Sequence, residues 1–334
     1  MSASADIVIV NWNSRTLLAE CVGSTRDFPE GVGRVIVVDN GSTDGSEAAA
    51  EAMPGVELIR AGGNIGFAAA CNLGARRADA PYILFLNPDA RLLADGLPRA
   101  LAFMESEEGR GYGICGLRIL GEDGAVQRHC SRNATPGLYF NQALGLSKLL
   151  PGLFRPQMML EFDHLSSRPV EHCIGAWFLV RASLFRALGG FDERFFVYAE
   201  EMDFALRAGQ AGQPTYYLSE ASAYHKGGGV SEQVRAHRRF YADRSRILYA
   251  LKHFSIAGAV ATLFVILIME LIGRLVFALL RLSWSDFTQT LRAYGMLYRD
   301  LPRIVSTSRR LGRAKRAAGA NARQGRSGKS NEAV

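Results

Sequence analysis

Cysteine is scarce in this chain. The five residues, Cys21, Cys71, Cys115, Cys130 and Cys173, are odd in number, scattered over 334 residues and without a CxxC pair. That speaks against a zinc knuckle and against a disulfide framework, and a reducing cytoplasm is the expected compartment. No basic stretch leads into an apolar one at the amino terminus, where the acidic Asp6 already stands at the edge of an apolar run, so no signal peptide is expected. No GxGxxG follows that first run, which leaves a dinucleotide-binding dehydrogenase without support. A glycine-rich loop carrying Lys or Arg for a triphosphate is missing there too, and no nucleic-acid recognition module accompanies the basic tail.

What is present is a large apolar share, 48% of residues, enough for a substantial core in one large or two ordinary domains. The net charge of +7 is concentrated at the carboxyl end, because residues 299–334 hold ten Lys or Arg against two acidic residues and the remainder is close to neutral. This tail is also rich in Gly, Ala, Ser and Asn, and disorder is expected over 312–334. Before it lie sixteen uncharged residues, Phe254 to Met269, then Glu270, Arg274 and a second apolar run to Leu280. Sixteen is short of the twenty or so that a crossing helix needs, and a longer span would bury Glu270 and Arg274, an i, i+4 pair able to bond each other. A single crossing from the cytoplasm would also put the basic tail outside, against the positive-inside tendency. Helices lying in or re-entering the cytoplasmic leaflet, with the tail drawn to anionic lipid, are therefore expected, a tight helical hairpin being the alternative.

Four nearly all-apolar runs, Ile7 to Val10, Val35 to Val38, Val56 to Ile59 and Tyr82 to Leu86, alternate with helix-length segments. Such spacing predicts an α/β fold with a mostly parallel sheet covered on both faces, in the order βαβαβαβ over about the first hundred residues. Ser14, Ser42 or Asp44, and Gly66 are the predicted helix starts, the last opening a helix from Phe67 to Ala78. In such a sheet ligands bind outside the carboxyl ends of the strands. The polar residues there converge on one rim: Asn11 and Asn13 after the first run, Asp39 and Asn40 after the second, Asn87 and Asp89 after the fourth. Each alone is ordinary turn chemistry; together they mark a site, with Asp89 placed to hold a metal. Further on stand the acidic cluster Glu200-Glu201-Met202-Asp203 and, twenty-four residues after Glu201, His225.

These residues resemble the inverting family 2 glycosyltransferases with a GT-A fold, especially a rhamnosyltransferase-like branch. The matching pieces are Val8 to Asn13, Val37 to Ser46, Asn64-Ile65-Gly66-Phe67-Ala68 with Asn72, Leu86-Asn87-Pro88-Asp89, Gly175-Ala176, Gly189-Gly190-Phe191-Asp192-Glu193, the acidic cluster with Phe204 to Arg207, and Ala223 to Gly229 around His225. The resemblance implies a catalytic domain over 1–253, to which the residue pattern adds a membrane-associated helical region over 254–311 and the basic tail over 312–334. It further implies a nucleotide-sugar donor: Asp39 on the base, Asn11 and Asn13 lining the nucleotide pocket, Asn64 and Gly66 along the donor, Gly175 and Ala176 bordering the sugar. Asn87-Pro88-Asp89 stands where the family keeps a DxD motif, with Asn in its first position. Asp89 and His225 would then ligate Mg²⁺ or Mn²⁺, imidazole suiting Mn²⁺ better. Glu201 would be the base, where the family often has Asp, and Asp203 and Glu200 would orient the acceptor, bind the sugar or cap the helix. The resemblance implies dTDP-L-rhamnose as donor in cell-surface polysaccharide or glycolipid assembly, the membrane-seeking carboxyl-terminal region suggests a lipid-linked acceptor, and Arg238, Arg239, Arg244 and Arg246 could meet acceptor phosphates. A nucleotidyltransferase and a non-catalytic membrane adaptor on the same fold are the alternatives; oligomeric state is not legible.

Overall fold

The computed structural model describes residues 3–227 and 235–327, with side chains as far as Thr307. Its first elements are β1 (Ala5–Asn11), α1 (Leu17–Asp27), β2 (Val32–Asp39), α2 (Glu47–Glu51), β3 (Val56–Arg60), α3 (Phe67–Ala75) and β4 (Tyr82–Leu86). Every pairing among these strands is parallel, in the order β3-β2-β1-β4. All residues of β1 and β4 are buried, because successive side chains enter opposite cores. Ile7, Ile9 and Leu84 pack with Leu18, Cys21 and Val22 of α1, while Val8, Val10 and Phe85 pack with Ala68, Ala70 and Cys71 of α3. Two covered faces are what an uninterrupted apolar strand requires. The winding reverses between β1 and β4, so the crevice at their carboxyl ends is the switch point where such sheets take ligands.

The chain continues through β5 (Ala90–Leu92), α4 (Gly96–Glu105), β6 (Ile114–Leu120), β7 (Val126–Gln127), α5 (Pro136–Ala143), α6 (Leu146–Leu149), β8 (Arg168–Val170), β9 (Trp177–Arg181), α7 (Ala182–Ala187), α8 (Glu200–Gln210) and β10 (Thr215–His225). Here the sheet becomes mixed. It extends from β4 as β9-β6-β10-β5, with β9 antiparallel to both neighbours, β10 parallel to β6 and β5 antiparallel to β10. Three expected helix boundaries shift. Ser46, not Ser42 or Asp44, precedes α2. Thr16, not Ser14, precedes α1, and the Ser14 hydroxyl instead donates to Asn11 Oδ1; α3 stops at Ala75.

α9 (Arg235–His253) leads into an almost continuous apolar helix: α10 (Ile256–Phe264), a π-helical stretch Val265–Glu270 and α11 (Leu271–Leu280). At 25 residues, Ile256–Leu280 is long and apolar enough to cross a membrane by length and composition, which corrects the count of sixteen. The count failed because Glu270 does not interrupt the helix: it accepts from both Arg246 amino groups at 2.9 and 2.6 Å and from Arg274 at 3.2 Å. α12 (Trp284–Ser327) then folds back, packing on α11 and α9. Arg244 and Arg246, expected to face acceptor phosphates, point into this bundle instead. Arg244 bonds Asp300 and the Arg194 carbonyl, and Arg246 bonds Glu270 and Asp243. The tail expected to be disordered lies beyond the last described side chain, and 328–334 lie outside the described residues.

Candidate active site

Asn11, expected to line the nucleotide pocket, closes β1. It is fully buried, and its amide donates to Asp39 Oδ1 (3.1 Å), Ser42 Oγ (3.1 Å) and Ser46 Oγ (2.9 Å). Burial without such partners would cost the full desolvation of the amide, so this side chain is the hub that knits the ends of β1 and β2. Asp39 thereby receives Asn11 on one oxygen and the Ser42 N–H on the other. Asn13, in the left-handed region (φ 50°), accepts from Thr43 N–H at 2.8 Å and gives its own N–H to Ser42 Oγ. Asn64 is exposed; its Oδ1 accepts from Asn40 and from the Gly66 N–H.

Gly66 requires a correction. At φ 92° only glycine is comfortable, yet the space above it belongs to the protein: a Cβ there would lie 2.8 Å from the Phe196 ring and carbonyl. The Phe196 carbonyl also takes the Phe67 N–H at 2.6 Å. The start of α3 is thus occupied by Phe196 rather than open to a donor phosphate.

The rim at β4 is different. Antiparallel pairing sets His225, last residue of β10, opposite Ala90, and its Nε2 lies 3.4 Å from Asp89 Oδ1. Both side chains are largely buried. His225 Nδ1 faces Gln127 Oε1 at 3.4 Å, and the Gln127 amide donates to the His225 carbonyl at 2.9 Å. Donation of Nδ1–H to Gln127 Oε1 leaves the Nε2 lone pair on the Asp89 side, the arrangement that orients a metal-ligating imidazole. A carboxyl oxygen and an imidazole nitrogen suit Mn²⁺ or Mg²⁺, with further positions left for diphosphate oxygens and water. Sequence reasoning missed Gln127, because a lone Gln carries no signal until the short pair β6–β7 places it. Gln127→Ala is expected to weaken Mn²⁺-dependent nucleotide binding by about 10- to 100-fold, measured by calorimetry. Gly228 and Gly229, after His225, lie outside the described residues.

The acidic cluster opens α8 behind two consecutive non-glycine residues at positive φ, Tyr198 (70°) and Ala199 (66°). Such strain costs roughly 1–3 kcal/mol per residue and is typically kept where geometry serves a function. Glu200 and Glu201 each have one buried carboxylate oxygen with no hydrogen-bond partner among the described residues. Burial raises the pKa of Glu201, opposed by N–H groups of the helix start. Glu200 is raised further, by burial first and by the charge of Glu201 second. Both carboxyls are thus held above the ordinary carboxylate range, Glu200 further than Glu201. Gly175 leaves room beside Glu201, a Cβ there falling 3.8 Å from its side chain. Next to it the carbonyl of buried Ala176 accepts the Asn87 N–H at 3.0 Å. Asn87, Ala176, Gly175 and Glu201 thus follow one another as neighbours from the Asp89 rim to the acidic turn.

Asp203 is not part of that series. Its carboxylate is sealed, with contacts to Arg207 (2.9 Å), Lys252 (2.5 Å) and His253 (2.7 Å). Burial would raise its pKa, but His253, Lys252 and Arg207 together hold it low. It anchors α8 to α9, and its expected place near the chemistry is withdrawn. Asn72 is likewise a brace, exchanging hydrogen bonds with the Phe191 backbone.

Four known matches bear on this site. The family described as glycosyl transferase family 2 matches residues 6–189. An N-acetylglucosaminyl-diphospho-decaprenol L-rhamnosyltransferase of Mycobacterium tuberculosis (strain ATCC 25618 / H37Rv) is 32% identical over 238 residues, 66% of this chain and 75% of that protein. Rhamnosyltransferase WbbL of Escherichia coli (strain K12) is 28% identical over 199 residues, 58% of this chain and 72% of its own. Among solved structures, the mannosyltransferase PcManGT from Pyrobaculum calidifontis, in complex with GDP-Man and Mn²⁺, superposes with a TM-score of 0.52 at 16% identity, covering 91% of this chain and 88% of its own. That likeness establishes the GT-A fold.

Proposed function

Because this chain belongs to glycosyl transferase family 2 and is a glycosyltransferase, we propose that it transfers L-rhamnose from dTDP-L-rhamnose, with inversion, to a hydroxyl of a lipid-linked glycan. The relatives' names support rhamnose and a lipid-linked acceptor, one being an N-acetylglucosaminyl-diphospho-decaprenol L-rhamnosyltransferase. The observation that carries the reading is the meeting of Asp89 and His225 at the switch point, with Gly175 and Ala176 connecting that rim to Glu201.

In the proposed reaction Asp39 holds the base of the donor, the loops tied by Asn11 and Asn13 shape its pocket, and Asn87 stands at the diphosphate. Asp89 and His225 would hold a divalent cation, which supplies positive charge for the departing diphosphate. Glu201 takes the proton of the acceptor hydroxyl while the hydroxyl oxygen bonds the anomeric carbon and the carbon–phosphate-oxygen bond breaks, the electron pair of that bond leaving with the nucleoside diphosphate. Attack from the Glu201 side gives inversion. Incubation with labelled nucleotide sugars and Mn²⁺ is the test. Free nucleoside diphosphate as product is expected; pyrophosphate would assign a nucleotidyltransferase, and no turnover with any donor an adaptor.

The acceptor's lipid calls for a membrane, and the carboxyl-terminal helices supply a surface for one at its cytoplasmic face. Ile256, Val260, Phe264, Ile272 and Leu280 are exposed along α10 and α11, and Leu282 (92% exposed) and Trp284 (71%) stand at the α11–α12 turn. Apolar side chains at such a turn enter the headgroup region while basic residues draw the protein to anionic lipid. Arg235, Arg292 and Arg299 line the cleft between α9 and α12, where acceptor phosphates could dock. The tail can be tested only past Thr307, since Leu301 and Ile304 belong to the packed bundle. Deleting 309–334 removes eight Lys or Arg and is expected to lower binding to anionic vesicles by about tenfold or more. Leu282→Ser with Trp284→Ser should lower binding to neutral vesicles as well. Unchanged vesicle pelleting in both would remove the membrane assignment.

A further inference from the structure

Cys130 and Cys173, forty-three residues apart, bring their Sγ atoms to 3.8 Å in a fully buried setting. His129 joins them, one ligating atom from each of the three lying within 4.8 Å of the others. A tetrahedral zinc with Zn–S bonds of about 2.3 Å sets its two thiolates about 3.8 Å apart. The imidazole is prepared in the same sense. His129 Nε2 lies 3.0 Å from the Leu117 carbonyl, which can only accept, so the proton sits on Nε2 and the lone pair on Nδ1. That Nδ1 is buried and has no partner among the described residues, a state that normally costs the desolvation of the group. Phe162, Val170 and Tyr217 enclose the sulfurs in an apolar shell, as structural metal centres are enclosed.

We propose that His129 Nδ1, Cys130 Sγ and Cys173 Sγ bind a structural Zn²⁺, separate from the cation of Asp89 and His225. Thiolates select a soft metal over Mg²⁺ or Mn²⁺, and in a reducing compartment a buried thiol pair with an imidazole serves metal binding better than a disulfide. The position gives the ion a purpose. Cys130 follows Gln127, which orients His225, by three residues; Cys173 precedes Gly175, beside Glu201, by two. The two segments already exchange backbone hydrogen bonds between Ser131 and His172 at 2.9 and 3.2 Å. A metal cross-link there clamps the two flanks of the active site together.

Full-length protein, purified without chelator or polyhistidine tag, is expected to carry about one zinc per chain by elemental analysis. Cys130→Ser and Cys173→Ser should each reduce that content by about tenfold or more, whereas Asp89→Ala should retain it, which separates this centre from the proposed catalytic one. Since the cysteine variants could fold poorly, Co²⁺ substitution of the unmutated chain gives a second reading: a thiolate-to-cobalt charge-transfer band, present also in Asp89→Ala. Absence of that band, retention of zinc by both cysteine variants, or a Cys130–Cys173 disulfide in place of metal overturns the proposal.

Discussion

Glu201→Gln is expected to lower turnover by about 10²- to 10⁴-fold, the usual contribution of a general base, with nucleotide-sugar affinity nearly unchanged. The substitution keeps size and shape, and Glu201 Oε2 has no hydrogen-bond partner among the described residues to lose. What disappears is the ability to accept a proton. Because burial raises the pKa of Glu201, the acidic limb of the rate profile should lie above the range of an ordinary carboxylate, with activity rising as pH passes the raised value. Stability has the opposite sign. With the folded pKa above the unfolded one, ionisation costs stability at pH above the folded value, and the cost vanishes below the unfolded value. Gln cannot ionise, so the variant should unfold at a higher temperature than the parent at neutral pH and at nearly the same temperature in acid. Glu200→Gln, at a carboxyl whose pKa burial raises further still, should change turnover far less. Steady-state rates and thermal melts check all three, and unchanged turnover in Glu201→Gln would remove it as the base.

Asp89→Ala and His225→Ala should each weaken Mn²⁺-dependent nucleotide binding by more than the 10- to 100-fold typical of a lost outer partner. The two side chains meet at 3.4 Å and share one enclosed space, so either deletion leaves a divalent ion with one protein ligand. Their effects should not add, because the second substitution removes a ligand from a site already lost. In the presence of chelator, parent and variants should bind nucleotide equally weakly. Calorimetric titration with and without Mn²⁺ measures this, and normal affinity in both variants would end the metal-site assignment.

The parallel half of the fold is legible because its strands are buried on both faces, which turns them into uninterrupted apolar runs. Their polar ends then have to share a rim, so Asp39, Asn87 and Asp89 can be placed by reading alone. The same reading gives Asn11 the wrong task. A polar residue after a strand looks alike whether it faces a ligand or, as here, is buried as a hub for Asp39, Ser42 and Ser46. Gly66 shows a related limit: its positive φ is local, but the Phe196 that fills the space above it comes from a distant loop. Asp203 belongs to the acidic cluster by position and to the α8–α9 junction by contact.

By itself the amino-acid order determined the strand pattern, the rim, the ordered motifs of the family and the concentration of basic charge at the carboxyl end, all properties of neighbouring residues or of burial periodicity. Only tertiary structure decided which polar groups stay free. Gln127 reaches His225 through the pairing of short strands, Cys130 reaches Cys173 across forty-three residues, and Arg246 reaches Glu270 between helices. A side chain's chemistry depends on its partners and its access to water, and for these residues both are set by contacts between segments far apart in the chain.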